Sequence, residues 1–233
     1  EDAAWPRYDA AAALAAKGVP IAIQPAAGLR PRDLLFAAAV ATREGLDPEA
    51  ALAAITLGPA RALGVDDRVG SLAPGKDADF VVLSGPPLRS GSSVLATWIS
   101  GKTAGKASAT WSVVIEVDEL HVGDGRVLRP GQVALDGGRI VEVGERVTRP
   151  PGAVVMRGRA AMPGIVDALG HLGLEGSSKV PGTEFRLARL IEPGDRTDRR
   201  VAKAGVNTVV LAPRGPSSSG TPMMAYKQAD NDR

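Results

Sequence analysis

The feature that most constrains this chain is a change of pattern at Gly70. Before it, helix-favouring stretches alternate with Gly and Pro punctuation. After it come short β-branched and aliphatic runs separated by turns, at residues 80–83, 94–100, 113–122, 132–136, 139–143 and 154–157. Runs of that length and spacing predict a small β-sheet domain. The clearest turn lies in VALDGGRIV, where Gly137 and Gly138 can take the positive φ angles of a primed hairpin turn. Residues 102–109, small and polar, read as a linker. Beyond Pro163 an αβ rhythm returns, with Ile165 and Val166, a helix over 196–204, Gly205, and a strand over 207–212.

Upstream of Gly70, the Ala-rich residues 10–17 predict a helix, and residues 19–23 after Gly18 a buried strand. A further helix begins at Leu34 and stops at Gly45, a residue suited to the left-handed cap. Asp47-Pro48-Glu49 then restarts a helix. Asp47 can accept from exposed first-turn amides, Pro48 stands where no donor is needed, and Glu49 suits the positive end of the dipole. Residues 1–64 therefore read as one αβ unit followed by short helices.

Composition narrows the possible functions. Apolar residues make up 44% and aromatics 3%, so the core rests on Ala, Val, Leu and Ile. The net charge is +2, and acidic residues interleave the basic ones even over 186–203, which reads as a solvated helix face and not a nucleic-acid surface. The absence of cysteine excludes disulfides and thiolate chemistry. The longest apolar run, residues 34–41, falls far short of the roughly 20 residues of a membrane span. Glu1 opens in sequence that reads as mid-domain, which leaves the compartment open.

Three stretches carry a resemblance. DPEAALAAITLGPARALGVDDRVGSLAPGKDADFVVLSGPPL, beginning at Asp47, resembles the C-terminal end of the amidohydrolase superfamily. GDGRVLRPGQVALDGGRIVEVG, beginning at Gly123 and leading to AMPGIVDALGHLGL, resembles its N-terminal end. AKAGVNTVVLAP, beginning at Ala202, resembles the helix and strand that follow. The order is inverted, tail before head. The resemblance thus implies the junction of two tandem copies, imidazolonepropionase- or dihydroorotase-like, with circular permutation as the alternative. Residues 1–107 would end a first domain, and residues 108–233 would start a second, with sandwich strands to about residue 160. The fold class implied is mixed α/β: a small composite β-sandwich over residues 68–160, flanked by incomplete pieces of (β/α)8 barrels.

The resemblance also implies chemistry. Such enzymes hold one or two divalent metals, zinc foremost, that polarise a carbonyl and activate water to hydrolyse carbon–nitrogen bonds other than peptide bonds. Their first ligands form a His-x-His pair on the first barrel strand, because alternate strand residues face one side. Here the matching positions, after Asp167, are Leu169 and His171, so His171 is the candidate metal ligand and Leu169 cannot donate to a metal. A carboxylate should follow the last barrel strand, yet residues 21–28 read IAIQPAAG. Gln24 stands there, and it cannot act as a general base.

Two readings follow: a hydrolase completed by residues elsewhere, or a module that keeps the fold for binding or structure. The segment alone is expected to be inactive, with a small-molecule substrate and the remaining barrel elements as partners of the whole protein. Several other residues read as structural. His121 lies within a strand without metal-site context, and Asp77 and Asp79 belong by resemblance to the sheet domain, remote from the barrel mouth. Residues 213–222 lack P-loop spacing, and Lys227 does not match the family's carboxylated metal-bridging lysine.

Overall fold

A computed structural model of the chain describes residues 9–24, 33–89, 91–104, 112–170, 196–211 and 224–227. Four helices precede the first sheet: α1 (Ala10–Ala15), α2 (Leu34–Arg43), α3 (Pro48–Ala53) and α4 (Leu57–Ala62). Strands β1 (Phe80–Leu83), β2 (Val94–Ile99) and β3 (Lys102–Thr103) follow. Next come β4 (Val113–His121), β5 (Val127–Leu128), β6 (Gly131–Asp136), β7 (Arg139–Gly144), β8 (Val154–Pro163) and β9 (Ile165–Gly170). Helix α5 (Arg196–Lys203) and strands β10 (Val206–Leu211) and β11 (Met224–Lys227) complete the described elements.

Local chemistry accounts for the start of α3, where the Asp47 side chain accepts from the amide of Ala50 at 3.0 Å and Pro48 opens the helix. Such a cap contributes about 1 kcal/mol. The β6–β7 turn has φ of 54° at Gly137 and 81° at Gly138, the primed geometry expected from the sequence. Gly45 closes α2 at φ 100°.

The strands form an eight-stranded sheet in the order β3-β2-β1-β8-β4-β6-β7, with β5 beside β4, and a three-stranded sheet in the order β11-β10-β9. Strand β8 runs antiparallel to β1, with Phe80 opposite Pro163, and parallel to β4, with Val113 opposite Val154. Strands from the tail-like and head-like stretches therefore share one sheet. The fold is mixed α/β, and the three-stranded sheet is open.

Alternation along β1 explains its wholly apolar sequence. Val81 and Leu83 join a core with Leu34, Ile55, Met162, Val206 and Leu211, while Phe80 and Val82 join a second core with Trp98, Ile115, Leu120, Val133 and Ile140. A strand buried on both faces has no solvated side to fill with polar residues. Phe80 and Trp98 stack with ring centroids 5.4 Å apart, which adds about 1 kcal/mol beyond burial.

Three sequence expectations need correction. Residues 19–23 form no strand: Val19 is 43% exposed, and the amide of Ile23 donates to Ala54 O at 2.8 Å. A short apolar string needs a strand partner to become a strand, and none lies beside it among the described residues. The last sheet strand does not stop at residue 157 but continues as β8 to Pro163, because β1 pairs with its final four residues. Lys102 and Thr103, taken as linker, form β3 against β2.

Gly164 passes the chain from β8 in one sheet to β9 in the other. Its amide donates to Asp79 O at 3.0 Å, and a Cβ there would lie 2.3 Å from Asn207 Cγ, so a larger residue would have to displace the buried Asn207 side chain. The TLGPA segment has a similar reason to be small. Thr56 Oγ1 donates to Leu52 O at 2.7 Å, and a Cβ on Gly70 would lie 2.7 Å from Ala60 Cβ.

Candidate functional site

Strand β9 carries the residues that the sequence placed at a barrel mouth. Asp167 is fully buried, and its Oδ1 accepts the amide of Leu169 at 3.1 Å. Leu169 is 38% exposed near the carboxyl end of the strand. Gly170 closes β9 opposite Leu211 of β10, packed so that a Cβ would lie 2.2 Å from Val209 Cγ1 and 3.0 Å from Asp167 Oδ2. His171 lies outside the described residues, as do residues 213–222. Gln24 is exposed, at the end of the segment that forms no strand.

These residues do not by themselves fit a zinc site, which takes three or four protein ligands. Leu169 offers hydrocarbon, and Asp167 Oδ1 is engaged by a backbone amide. Among the described residues, no group of three or more His, Asp or Glu side chains could hold a metal ion.

The turn between α3 and α4 brings the two stretches together. Ala54 O accepts from Ile23 N at 2.8 Å, and Ile55 O accepts from Val166 N at 2.9 Å. The segment expected to end one barrel and the strand expected to begin another thus dock on adjacent carbonyls.

His121 is buried at the end of β4. Its Nδ1 lies 3.1 Å from Glu49 Oε1 on α3, and its Nε2 lies 3.7 Å from Glu119 Oε2. Arg129 donates to Glu119 at 2.9 Å. That bond is the main reason the Glu119 carboxyl sits below the ordinary carboxylate range, with the Arg129 charge and His121 adding to it. The arrangement ties a helix to a sheet strand.

Among the described residues, the densest charge cluster lies ahead of β1. Asp77 is 95% buried by its side chain's 5% exposure, and three cations converge on it: Arg68 at 2.8 Å, Arg139 at 2.7 Å and Lys227 at 2.6 Å. Burial pushes its carboxyl up, but the Lys227 hydrogen bond and the three charges outweigh burial and hold it below its ordinary value. Asp79 accepts from Ser100 N at 2.7 Å and pairs with Lys227 at 2.9 Å, yet burial dominates and raises its carboxyl. Lys76 binds Asp66 O and, at 2.7 Å, Ser71 Oγ, with burial lowering its ammonium.

By resemblance, Asp77 and Asp79 belong to the sheet domain, and Lys227 matches none of the family's ligand positions. The structure joins all three, across a separation of 150 residues between Asp77 and Lys227. No local signal in the sequence could have found that contact.

Residues 7–135, more than half of the chain, match the family model described as Amidohydrolase family. The chain belongs to the amidohydrolase family. Among curated relatives of this amidohydrolase-family chain is Amidohydrolase tasK of Hapsidospora irregularis, 29% identical over 84% of this chain and 25% of that protein. An imidazolonepropionase of Erwinia tasmaniensis is 47% identical over 32% of this chain and 17% of its own length. The chain thus spans a quarter or less of these two relatives. Among solved structures, an amidohydrolase from Thermotoga maritima MSB8 aligns with 28% identity and a TM-score of 0.34, covering 43% of this chain and 35% of that one.

Proposed function

We propose that this chain is part of a metal-dependent hydrolase of carbon–nitrogen bonds other than peptide bonds, lying across the junction of two consecutive amidohydrolase-like domains. Residues 1–107 would close the first domain and residues 108–233 open the second. The family match over residues 7–135 carries the hydrolase part of the reading, and the junction rests on the tail-before-head order of the sequence motifs, whose strands share one sheet.

In this reading, the eight-stranded sheet is the core of a composite sandwich, and β9 to β11 with their helices are pieces of an incomplete barrel. The catalytic metal, zinc first, would be held by residues beyond those described, His171 among them, together with strands from the rest of the protein. When bound, it would supply the activated water. The isolated chain would have no turnover, and a small molecule would be the substrate of the whole protein.

The test is the zinc, manganese and iron content of the purified chain, measured by plasma mass spectrometry beside a His171→Ala variant. Near-stoichiometric metal that is lost in the variant supports the hydrolase. Absence of metal at saturating zinc, repeated in the whole protein with its remaining strands present, supports a second reading, a module that keeps the fold for binding or structure. One observation favours that alternative specifically: the exposed hydrocarbon of Leu169 occupies the position where the first ligand was expected. Metal-dependent turnover by the isolated chain would overturn the incomplete-barrel part of the proposal.

A further inference from the structure

The cluster around Asp77 joins elements that are otherwise far apart. Arg68 follows α4, Asp77 and Asp79 precede β1, Arg139 opens β7, and Lys227 ends β11. The Asp77 loop is itself stitched to β7. Gly75 N donates to Ile140 O at 2.9 Å, Ile140 N to Lys76 O at 3.1 Å, and Ala78 N to Gly138 O at 3.0 Å. Asp77 also bridges Arg139 in antiparallel register. The two carboxylates are therefore fixed to the eight-stranded sheet before Lys227 arrives.

Lys227 comes from the other sheet. It stands opposite Thr208 near the start of β10, while Met224 stands opposite Leu211 at its end. Three residues of strand, roughly 10 Å, thus separate the lysine from the end of the sheet where Leu211 pairs with Gly170. The ammonium is 25% exposed on its side chain, against 5% for Asp77 and 4% for Asp79. A charge pair this sheltered is little screened, and removing one partner leaves buried charge uncompensated.

We propose that Lys227 and the Asp77–Asp79 pair form an electrostatic latch that fixes the edge strand of the three-stranded sheet to the eight-stranded sheet at the end of β10 remote from Gly170. Its consequence is conformational. With the latch closed, β11 is held on β10 and the two sheets share one rigid seam. With it open, β11 and then β10 lose their anchor, while the β6–β7 hairpin keeps its own hydrogen bonds.

Hydrogen exchange followed by mass spectrometry on the full chain tests this. In Lys227→Met, the amides of β10 and β11 should exchange about tenfold faster or more, with β6 and β7 unchanged. In Arg68→Met, which removes a cation from Asp77 without touching Lys227, β11 should stay protected. Uniform loss of protection across both sheets, or none in β11, overturns the latch. A second measurement uses the wild-type chain and does not depend on how a variant folds. Lys227 is held between two buried carboxylates with only a quarter of its side chain exposed, which shields it from an amine-specific acylating ester, so it should label about tenfold more slowly than exposed Lys17 and speed up in Asp77→Asn. Labelling of the two lysines at equal rates in the wild type overturns the proposal.

Discussion

Strands that neighbour each other in the eight-stranded sheet are mostly neighbours in sequence as well. Strands β1, β2 and β3 pair consecutively, and β6 and β7 are joined by a two-glycine turn. In the three-stranded sheet, β9 and β10 run parallel with α5 between them in sequence, and β10 is buried at every position. Local pairing accounts for the flanks of the first sheet, but its centre, like the second sheet, requires distant segments to meet: Phe80 pairs with Pro163, and Val206 with Ile165. The sheets differ more in what holds them, apolar burial on both faces of β1 in the first and the Lys227 ion pairs on β11 in the second. The difference teaches that the two sheets should respond differently to loss of packing and to loss of charge.

Loss of packing should produce the largest effect. Phe80 is fully buried and stacked on Trp98, and it sits in β1, whose other face belongs to the core shared with the three-stranded sheet. Phe80→Ala should cost about 3–5 kcal/mol, from lost transfer free energy and the cavity left behind. Urea unfolding followed by far-ultraviolet circular dichroism reads it as a lower midpoint with an unchanged slope. Because β1 is common to both cores, the two sheets should unfold together in this variant. If the three-stranded sheet alone melted, the idea of β1 as the shared element would fail.

Loss of charge at Asp77 comes next. Asp77→Ala should destabilise the chain by on the order of 3 kcal/mol, the low end for breaking a buried ion pair, because Arg68 and Arg139 are half-exposed and can be solvated in its absence. Its pH signature sharpens the contrast between the sheets. The folded carboxyl of Asp77 lies below its ordinary value of 3.8, so its contribution is fully present above that value and is lost as pH falls through the folded one. Asp79 acts in the opposite sense. Its carboxyl is raised by burial, so its charged form is a burden at neutral pH that is relieved as pH falls through the raised value. On acidification, the wild type should therefore gain slightly before it loses. Asp79→Asn should remove the early gain and Asp77→Asn the late loss, with denaturant midpoints measured between pH 7 and pH 3 as the check. Identical pH profiles for the two variants would refute the split.

The same contrast explains what could be read from sequence. The β6–β7 hairpin, the Asp47 cap and strand β1 were legible because each depends on residues close together in the chain: two glycines, a cap three residues from its amide, a run of four apolar side chains. The pattern of residues 19–23 matches a buried strand, but among the described residues no strand lies beside it. At the candidate site, the sequence identified Leu169 and Gln24 as departures from the expected donors, and the structure places both with solvent exposure. It could not reveal the meeting of Asp77 with Lys227, since spacing carries no information about a contact across 150 residues.

The smallest expected effect tests whether burial, and not charge alone, gives the Asp77 cluster its weight. Glu116 on β4 also gathers two cations, Arg149 and Arg157, each at 2.9 Å. Those arginines are 56% and 78% exposed, and Glu116 is 21% exposed against 5% for Asp77. Water and salt compete for every charge in that group, so Arg149→Ala and Arg157→Ala should each cost less than about 1 kcal/mol, with most of the effect gone at 1 M salt. The two clusters are close in pairing distance and differ in shelter from solvent, with a third cation, Lys227, on Asp77. Equal losses at Glu116 and Asp77 would mean that pairing distance sets the energy. A small, salt-sensitive loss at Glu116 beside a large, salt-insensitive one at Asp77 would mean that exclusion of water does.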